Sequence, residues 1–171
     1  EKLKSEGLVC TDGNSNRYYV FDITYSTLEQ LFSARKALEG TAAYLCAQHY
    51  KSVDLRKLKD LANKFSQMFD TKDFTNFEKV DMNFHRLIIS SSKNPFIIKM
   101  YNSLERFISY YTIRSRDYLI SLEEDSNYSI LANQHTSICN AIVLGLPDVA
   151  EGASKSHLDT CYNLCLRYHT I

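Results

Sequence analysis

At 171 residues, 44% of them hydrophobic and 23% charged, with two prolines and five glycines, the chain has the make-up of a globular domain and not of a disordered or fibrous protein. Twenty basic residues balance twenty acidic ones, so the surface as a whole offers no electrostatic footprint for a nucleic-acid backbone. No apolar stretch approaches the roughly 20 residues that span a bilayer, and no charged-then-apolar leader opens the chain. Five cysteines without a CxxC pair do not suggest a disulfide framework, and a reducing, cytoplasmic setting is expected.

In chain order, Glu1 to Glu6 reads as a last helical turn that Gly7 stops, followed by a short strand at Leu8, Val9 and Cys10. Turn chemistry from Thr11 to Asn16 leads into strand chemistry from Arg17 to Phe21, which makes a hairpin. A lone hairpin is at best marginally stable in water. Residues 1–24 are therefore expected to be the remnant and linker of a domain with further residues upstream.

The period then becomes helical, and residues 25–171 are expected to form one all-α domain. Ser26 and Glu29 match a capping box, and Leu28, Leu31, Leu38, Ala42 and Leu45 recur along one face up to about His49. A second helix is predicted from about Val53 to Phe69 and a third from near Asp73 to about Ser91. Asn94 and Pro95 open a long fourth helix to about Leu122, because proline at the first helical position loses no hydrogen bond. A fifth runs from about Ser126 to Leu144, stopped by Gly145, and Pro147 starts a sixth. Six helices with short connections imply an antiparallel bundle.

Polar residues interrupt three of the apolar stripes. Asp81 and His85 share the face of Phe77, Val80, Phe84 and Ile88, since helix positions three and four apart point the same way. His135 stands in the stripe of Leu131, Ile138 and Ile142, and His157 in that of Ala150, Ala153, Cys161 and Leu164. A buried aspartate without a partner costs several kcal/mol, and buried charges are normally paired or bound to a metal. Neutral imidazoles with one carboxylate suit a borderline divalent ion; zinc is the first choice, with nickel, manganese or cobalt fitting the same donors. Taken singly, a core histidine is more often a satisfied hydrogen-bonder than a ligand; three of the chain's five histidines and one aspartate on inward stripes of three helices favour the metal. His49 and His169 lie near helix ends, where a solvated histidine is the ordinary reading. Cys161 and Cys165, one turn apart, could bind metal but read more simply as small apolar fillers.

These residues carry a family resemblance. Arg35-Lys36-Ala37-Leu38-Glu39 with Ala42-Ala43, Asp81-Met82-Asn83-Phe84-His85, Asn94, His135-Thr136-Ser137-Ile138 with Ala141-Ile142, and Ser156-His157-Leu158 resemble the FadR-type C-terminal (FCD) domain of GntR-type transcription regulators, from about Leu28 to Tyr168. The resemblance implies that Asp81, His85, His135 and His157 hold a divalent metal beneath a pocket for a small organic or sugar acid. It also implies a homodimer and a winged helix-turn-helix ahead of the domain, whose wing Gly7-Leu8-Val9 and Tyr18-Tyr19-Val20 resemble; DNA would then be met through a part absent from this sequence. The usual glycine before the second wing strand is replaced by Asn16 or Arg17.

A carboxylate ligand calls for further donors. Arg35 interrupts the first helix's stripe, and Arg114 is in phase with Met100, Leu104, Phe107 and Tyr111; with Asn94 they are the candidate ligand-binding residues. Arg35 reads equally as an i,i+4 partner of Glu39, and Arg114 and Arg86 as surface salt-bridge formers. Tyr110, Tyr111 and Tyr118 read as packing residues with a polar tip. The expected function is a metal-assisted ligand sensor and not an enzyme. The alternative is a metal-dependent hydrolase or lactonase-like enzyme, which needs a general base, and no further inward-facing Glu, Asp or His on these stripes supplies one.

Overall fold

The computed structural model describes residues 9–11, 18–20, 25–121 and 128–169. Val9–Thr11 (β1) and Tyr18–Val20 (β2) pair antiparallel, with Val9 opposite Val20, Cys10 opposite Tyr19 and Thr11 opposite Tyr18. The helical turn read into Glu1 to Glu6 lies outside the described residues, as does the turn read from Thr11 to Asn16 apart from Thr11 itself, which belongs to β1. Six α-helices follow: α1 (Tyr25–Gln48), α2 (Leu55–Thr71), α3 (Phe77–Ser91), α4 (Pro95–Ser121), α5 (Tyr128–Val143) and α6 (Pro147–His169), with a 3₁₀ turn at Tyr50–Ser52. The expected all-α bundle is therefore present.

Helix boundaries follow side chains that satisfy free backbone groups. α2 starts two residues later than expected because Asp54 caps it, its carboxylate accepting from the Lys57 amide at 3.0 Å. α3 starts at Phe77 and not near Asp73, since the Asp73 carboxylate accepts from the Thr75 amide at 3.1 Å and closes a turn. Asn94 accepts from the amides of Phe96 at 3.0 Å and Ile97 at 3.2 Å, so Pro95 stands at the first helical position. The capping box at Ser26 does not form: α1 begins at Tyr25, and the Ser26 hydroxyl takes a 3.3 Å bond from the Gln30 side chain.

α1 packs along α6 and also touches α3, α4 and α5; α3 joins α2 and α4, and α5 lies between α2 and α6. One apolar core runs through all six helices, while a smaller cluster joins α1, α4 and α6 through Leu28, Phe32, Tyr111, Leu158 and Cys165. Two stripes are rotated from the sequence reading. In α1 the buried line is Leu28, Phe32, Arg35, Glu39, Ala42, Ala43 and Cys46, whereas Leu31, Leu38 and Leu45 sit at its edge. In α4 it is Tyr101, Ile108, Tyr111, Thr112, Ser115 and Tyr118, while Met100 is exposed.

The α5–α6 corner depends on Gly145, which adopts φ +64°. Its amide bonds the Ile142 carbonyl and the Leu146 amide bonds the Ala141 carbonyl, each at 3.0 Å, the pattern that closes a helix with one left-handed residue. A Cβ there would lie 2.9 Å from the Tyr50 ring. Gly145→Ala should therefore lose about 1–2 kcal/mol for the left-handed backbone, and more if the Tyr50 ring must shift. Gly152→Ala, in α6 with nothing within 4 Å of the added carbon, should gain about 0.5–1 kcal/mol. Urea denaturation of both variants checks the opposed signs.

Candidate metal centre

The bundle brings Asp81 and His85 of α3, His135 of α5 and His157 of α6 together, all four buried, with one ligand atom from each lying within 4.8 Å of the others. Two donors on opposite sides of an ion, each about 2.1 Å from it, are about 4.2 Å apart, so sub-ångström adjustment closes this set on one cation. The imidazoles are mutually packed: His85 and His157 stack at 5.2 Å between ring centres, and His135 meets His157 edge-on at 4.5 Å. Phe65 of α2 stacks on the other side of His135 at 3.8 Å. Phe65 in turn contacts Phe69 and Phe77, tying this ligand into the aromatic core.

The hydrogen bonds show why a cation belongs here. His135 donates Nδ1–H to the Leu131 carbonyl one turn back, at 2.9 Å. In the neutral ring that leaves a lone pair on Nε2, which faces Asp81 Oδ1 at 3.2 Å. Two acceptors face to face, shut away from water, require a cation between or beside them, either a proton or a metal ion. His85 repeats the arrangement: Nδ1 lies 2.8 Å from Glu39 Oε2, close enough for charge pairing though out of line for a hydrogen bond, while Nε2 points into the cluster without a hydrogen-bond partner, 3.8 Å from Asp81 Oδ1. His157 Nδ1 donates to Gln134 Oε1 at 3.4 Å, which again leaves Nε2 as the free donor atom. The set thus has the chemistry of a ligand shell, and a buried His/Asp cluster of this kind can hold a divalent ion.

Around the cluster lies a second layer of charge. Arg35 and Glu39 of α1 are both buried and joined at 2.6 Å. Burial works against the charge on Glu39, but Arg35 and then His85 outweigh it and hold the carboxyl down at about 2. Burial likewise opposes the charge on Asp81, and the His135 bond with the nearby charges of His85, His135 and Arg35 keeps it below the ordinary carboxylate value. For His85, burial is outweighed by Glu39 and Asp81, and its value is raised. His157 goes the other way, held well down by burial first and then by its neighbours His135, His85 and Arg35, which favours the neutral form, the one that ligates.

A cavity of about 20 Å³ opens beside Asp81, Arg35, His157, Thr112 and Cys161, room for a water or an ion but not for an organic acid without movement of its walls. Thr112 of α4 reaches Asp81 Oδ2 at 3.5 Å. Of the three candidate ligand-binding residues, the structure brings only Arg35 to this cavity. Arg114 lies off the buried line of α4, bonded to the Tyr110 hydroxyl at 3.3 Å, because the inward face of α4 is rotated toward Tyr111, Thr112 and Ser115. Asn94 is occupied in capping α4. Arg86 forms the expected surface pair with Glu105. One further expectation needs correction: an additional acid does face inward, since Glu39 is buried against His85. Tyr101, whose buried hydroxyl has no hydrogen-bond partner, also escaped the sequence reading. Glu39 was visible as the residue one turn after Arg35; nothing in the pattern marks Tyr101.

The FCD domain model matches residues 30–160, a span that contains all four clustered residues. This chain belongs to the FCD domain family. FCD domains are the effector-binding parts of GntR-type transcription regulators, the class that the motifs resemble. This FCD fold is similar to that of E. coli McbR/YncC, with a TM-score of 0.77 and 15% identity over 98% of this chain and 77% of that one. It is similar to Lar, which controls the expression of the Listeria monocytogenes agr system and mediates virulence, with a TM-score of 0.73 and 16% identity over 97% and 76% of the two chains. It also matches the metal-free FCD domain of TM0439, at 0.71 and 15% over 87% and 98%. No curated protein matches the sequence.

The Glu39 contacts give a signed expectation. Glu39→Gln leaves the Arg35 guanidinium buried without its counter-charge, which costs about 3–5 kcal/mol at neutral pH. Because the folded carboxyl titrates near 2 and the unfolded one near 4.5, its contribution is complete above the higher value and disappears as the pH falls toward the lower. Urea denaturation across pH should show wild type and variant far apart at pH 7 and converging below about 4.5; a gap independent of pH would mean that the charge on Glu39 is not what stabilises the pair.

Proposed function

We propose that this FCD domain is a metal-assisted sensor: Asp81, His85, His135 and His157 hold a divalent ion, zinc first, and a small organic or sugar acid binds through that ion and Arg35. The observation that carries the reading is the convergence of four buried donors, with His135 and His157 already committing their Nδ1 hydrogens elsewhere. Bound there, the ion would supply the positive charge that the facing lone pairs demand. Charge balance supports an anionic ligand: one guanidinium, two carboxylates and a divalent ion leave one positive charge in a buried place, which a carboxylate neutralises.

The narrowness of the cavity supplies the coupling. An acid larger than a water molecule has to part the walls contributed by α1, α4 and α6, so its binding favours a second arrangement of the helices. The ligand shifts that equilibrium only by its differential affinity, of order 1 to 3 kcal/mol in typical allostery. The paired strands of β1 and β2 suit the wing of a winged helix-turn-helix, through which a homodimer would present the change to DNA in the cytoplasm. Among the described residues no helix is long and apolar enough to cross a membrane.

The hydrolase reading is weaker. Its missing general base would have to be Glu39, but that carboxylate is bound to Arg35 and set against His85, with a value of about 2, which makes it a poor proton acceptor at neutral pH.

Metal removal tests the proposal. Zinc at 100 times its dissociation constant should stabilise the domain by about 2.7 kcal/mol, and a chelator should reverse this. His135→Ala should abolish the response. Organic and sugar acids should raise the melting temperature further only in the metal-loaded protein. A melting curve indifferent to zinc and chelator would remove the basis of the reading.

A further inference from the structure

We propose that the acid is a short aliphatic monocarboxylate, with a hydrocarbon body of about three or four carbons and no polyol chain; this rests on the sensor reading above and narrows its two ligand classes to one. Charge limits the number of carboxylates. With a divalent ion bound, the buried Arg35, Glu39 and Asp81 leave one positive charge over, which a single carboxylate cancels. A second carboxylate would leave a negative charge enclosed without a counter-ion. Hydrogen-bond partners limit the body. Beyond Arg35, Asp81 and His157, the cavity is walled mainly by Phe32, Phe65, Phe77, Leu131 and Leu164, all buried. Its three hydroxyls are already engaged within the chain: Thr112 donates to Asp81 Oδ2 at 3.5 Å, Ser115 lies 3.1 Å from Cys165 Sγ, and Tyr111 pairs with Thr27. Each hydroxyl that a sugar acid carried into this space would give up water and meet groups already paired, a loss of roughly tenfold in affinity.

The same walls set the length. On α4, Thr112 faces Asp81 at the metal end of the cavity, and Ser115 meets Cys165 of α6 three residues further on. At about 1.5 Å of rise per residue these two levels are about 4.5 Å apart, the reach of three or four carbons. Leu164, next to Cys165 on α6 and lining the same cavity, stands where the methyl end arrives. A cavity of about 20 Å³ admits such a body only as apolar side chains give way, and a hydrocarbon body restores the apolar contacts that a polar one would leave unmade. Each methylene buried there should tighten binding about fourfold.

Isothermal titration of the zinc-loaded full chain is the test, with butyrate, succinate and 3,4-dihydroxybutyrate as probes of one chain length that differ only beyond the first carboxylate. The dihydroxy acid lacks the α-hydroxyl that would add a bond to the metal. Butyrate should bind about tenfold tighter than either of the others, or more. From propionate to butyrate to valerate the affinity should rise about fourfold per carbon. Leu164→Ala should move the best chain length upward by a carbon or more, a comparison made within the variant and so independent of its stability. Succinate or the dihydroxy acid binding as tightly as butyrate, an affinity indifferent to chain length, or an unmoved optimum in Leu164→Ala overturns the assignment and leaves the sensor reading standing. Zinc uptake with none of these acids bound also overturns the assignment; no zinc uptake overturns the sensor reading with it.

Discussion

Lone pairs that water would otherwise satisfy are enclosed in this bundle facing one another, and most of its features follow from the need to neutralise them. Asp81 meets Nε2 of His135 at 3.2 Å, two acceptors face to face whenever that ring is neutral, and His85 directs an unpartnered nitrogen into the same space. A hydrophobic replacement of the whole group would fold as well or better, because burying ionisable groups rarely stabilises a domain in itself. Their presence in the interior is a cost that a bound cation would offset. The Arg35–Glu39 pair extends the same logic outward: it adds no net charge but sets an immobile field around the cluster, and Glu39 directs the Nδ1 side of His85 away from the centre.

The design separates two kinds of support. α3 and α5 meet the centre from within the main core, where Phe65, Phe77 and Phe84 fill the space around the ligands. α1, α4 and α6 meet it across the smaller cluster of Phe32, Tyr111, Leu158 and Cys165. The cavity opens between them, so a ligand that enlarges it works against the lesser of the two apolar clusters.

Much of the centre was legible in the sequence because helical periodicity is a direct record of burial. Asp81 and His85 fall on a line with Phe77, Val80, Phe84 and Ile88, and the structure buries all six. His135 and His157 were found in the same way. Where the reading slipped, charge or surplus apolar residues blurred the phase. In α1, Leu31, Leu38 and Leu45 compete with the true line, so Arg35 reads as interrupting the stripe while the burial of its partner Glu39 goes unseen. In α4 the inward face carries tyrosine, threonine and serine in place of aliphatic residues, so the stripe was drawn a position off and Arg114 appeared to face inward. Asn94 belonged to a helix start, a local hydrogen-bonding role that a motif match does not distinguish from ligand binding.

The ligands differ in how much freedom they keep. His135 is clasped by the Leu131 carbonyl, the Asp81 carboxylate and the face of Phe65, so its orientation is settled when the chain folds. His157 is held by a longer bond to Gln134. An ion of unfamiliar radius would therefore find one rigid jaw and one compliant jaw. The compliant one is the His157 ring, since α6 itself packs along the length of α1, so differences in ionic size would be absorbed by rotation of that ring while the helix keeps its place.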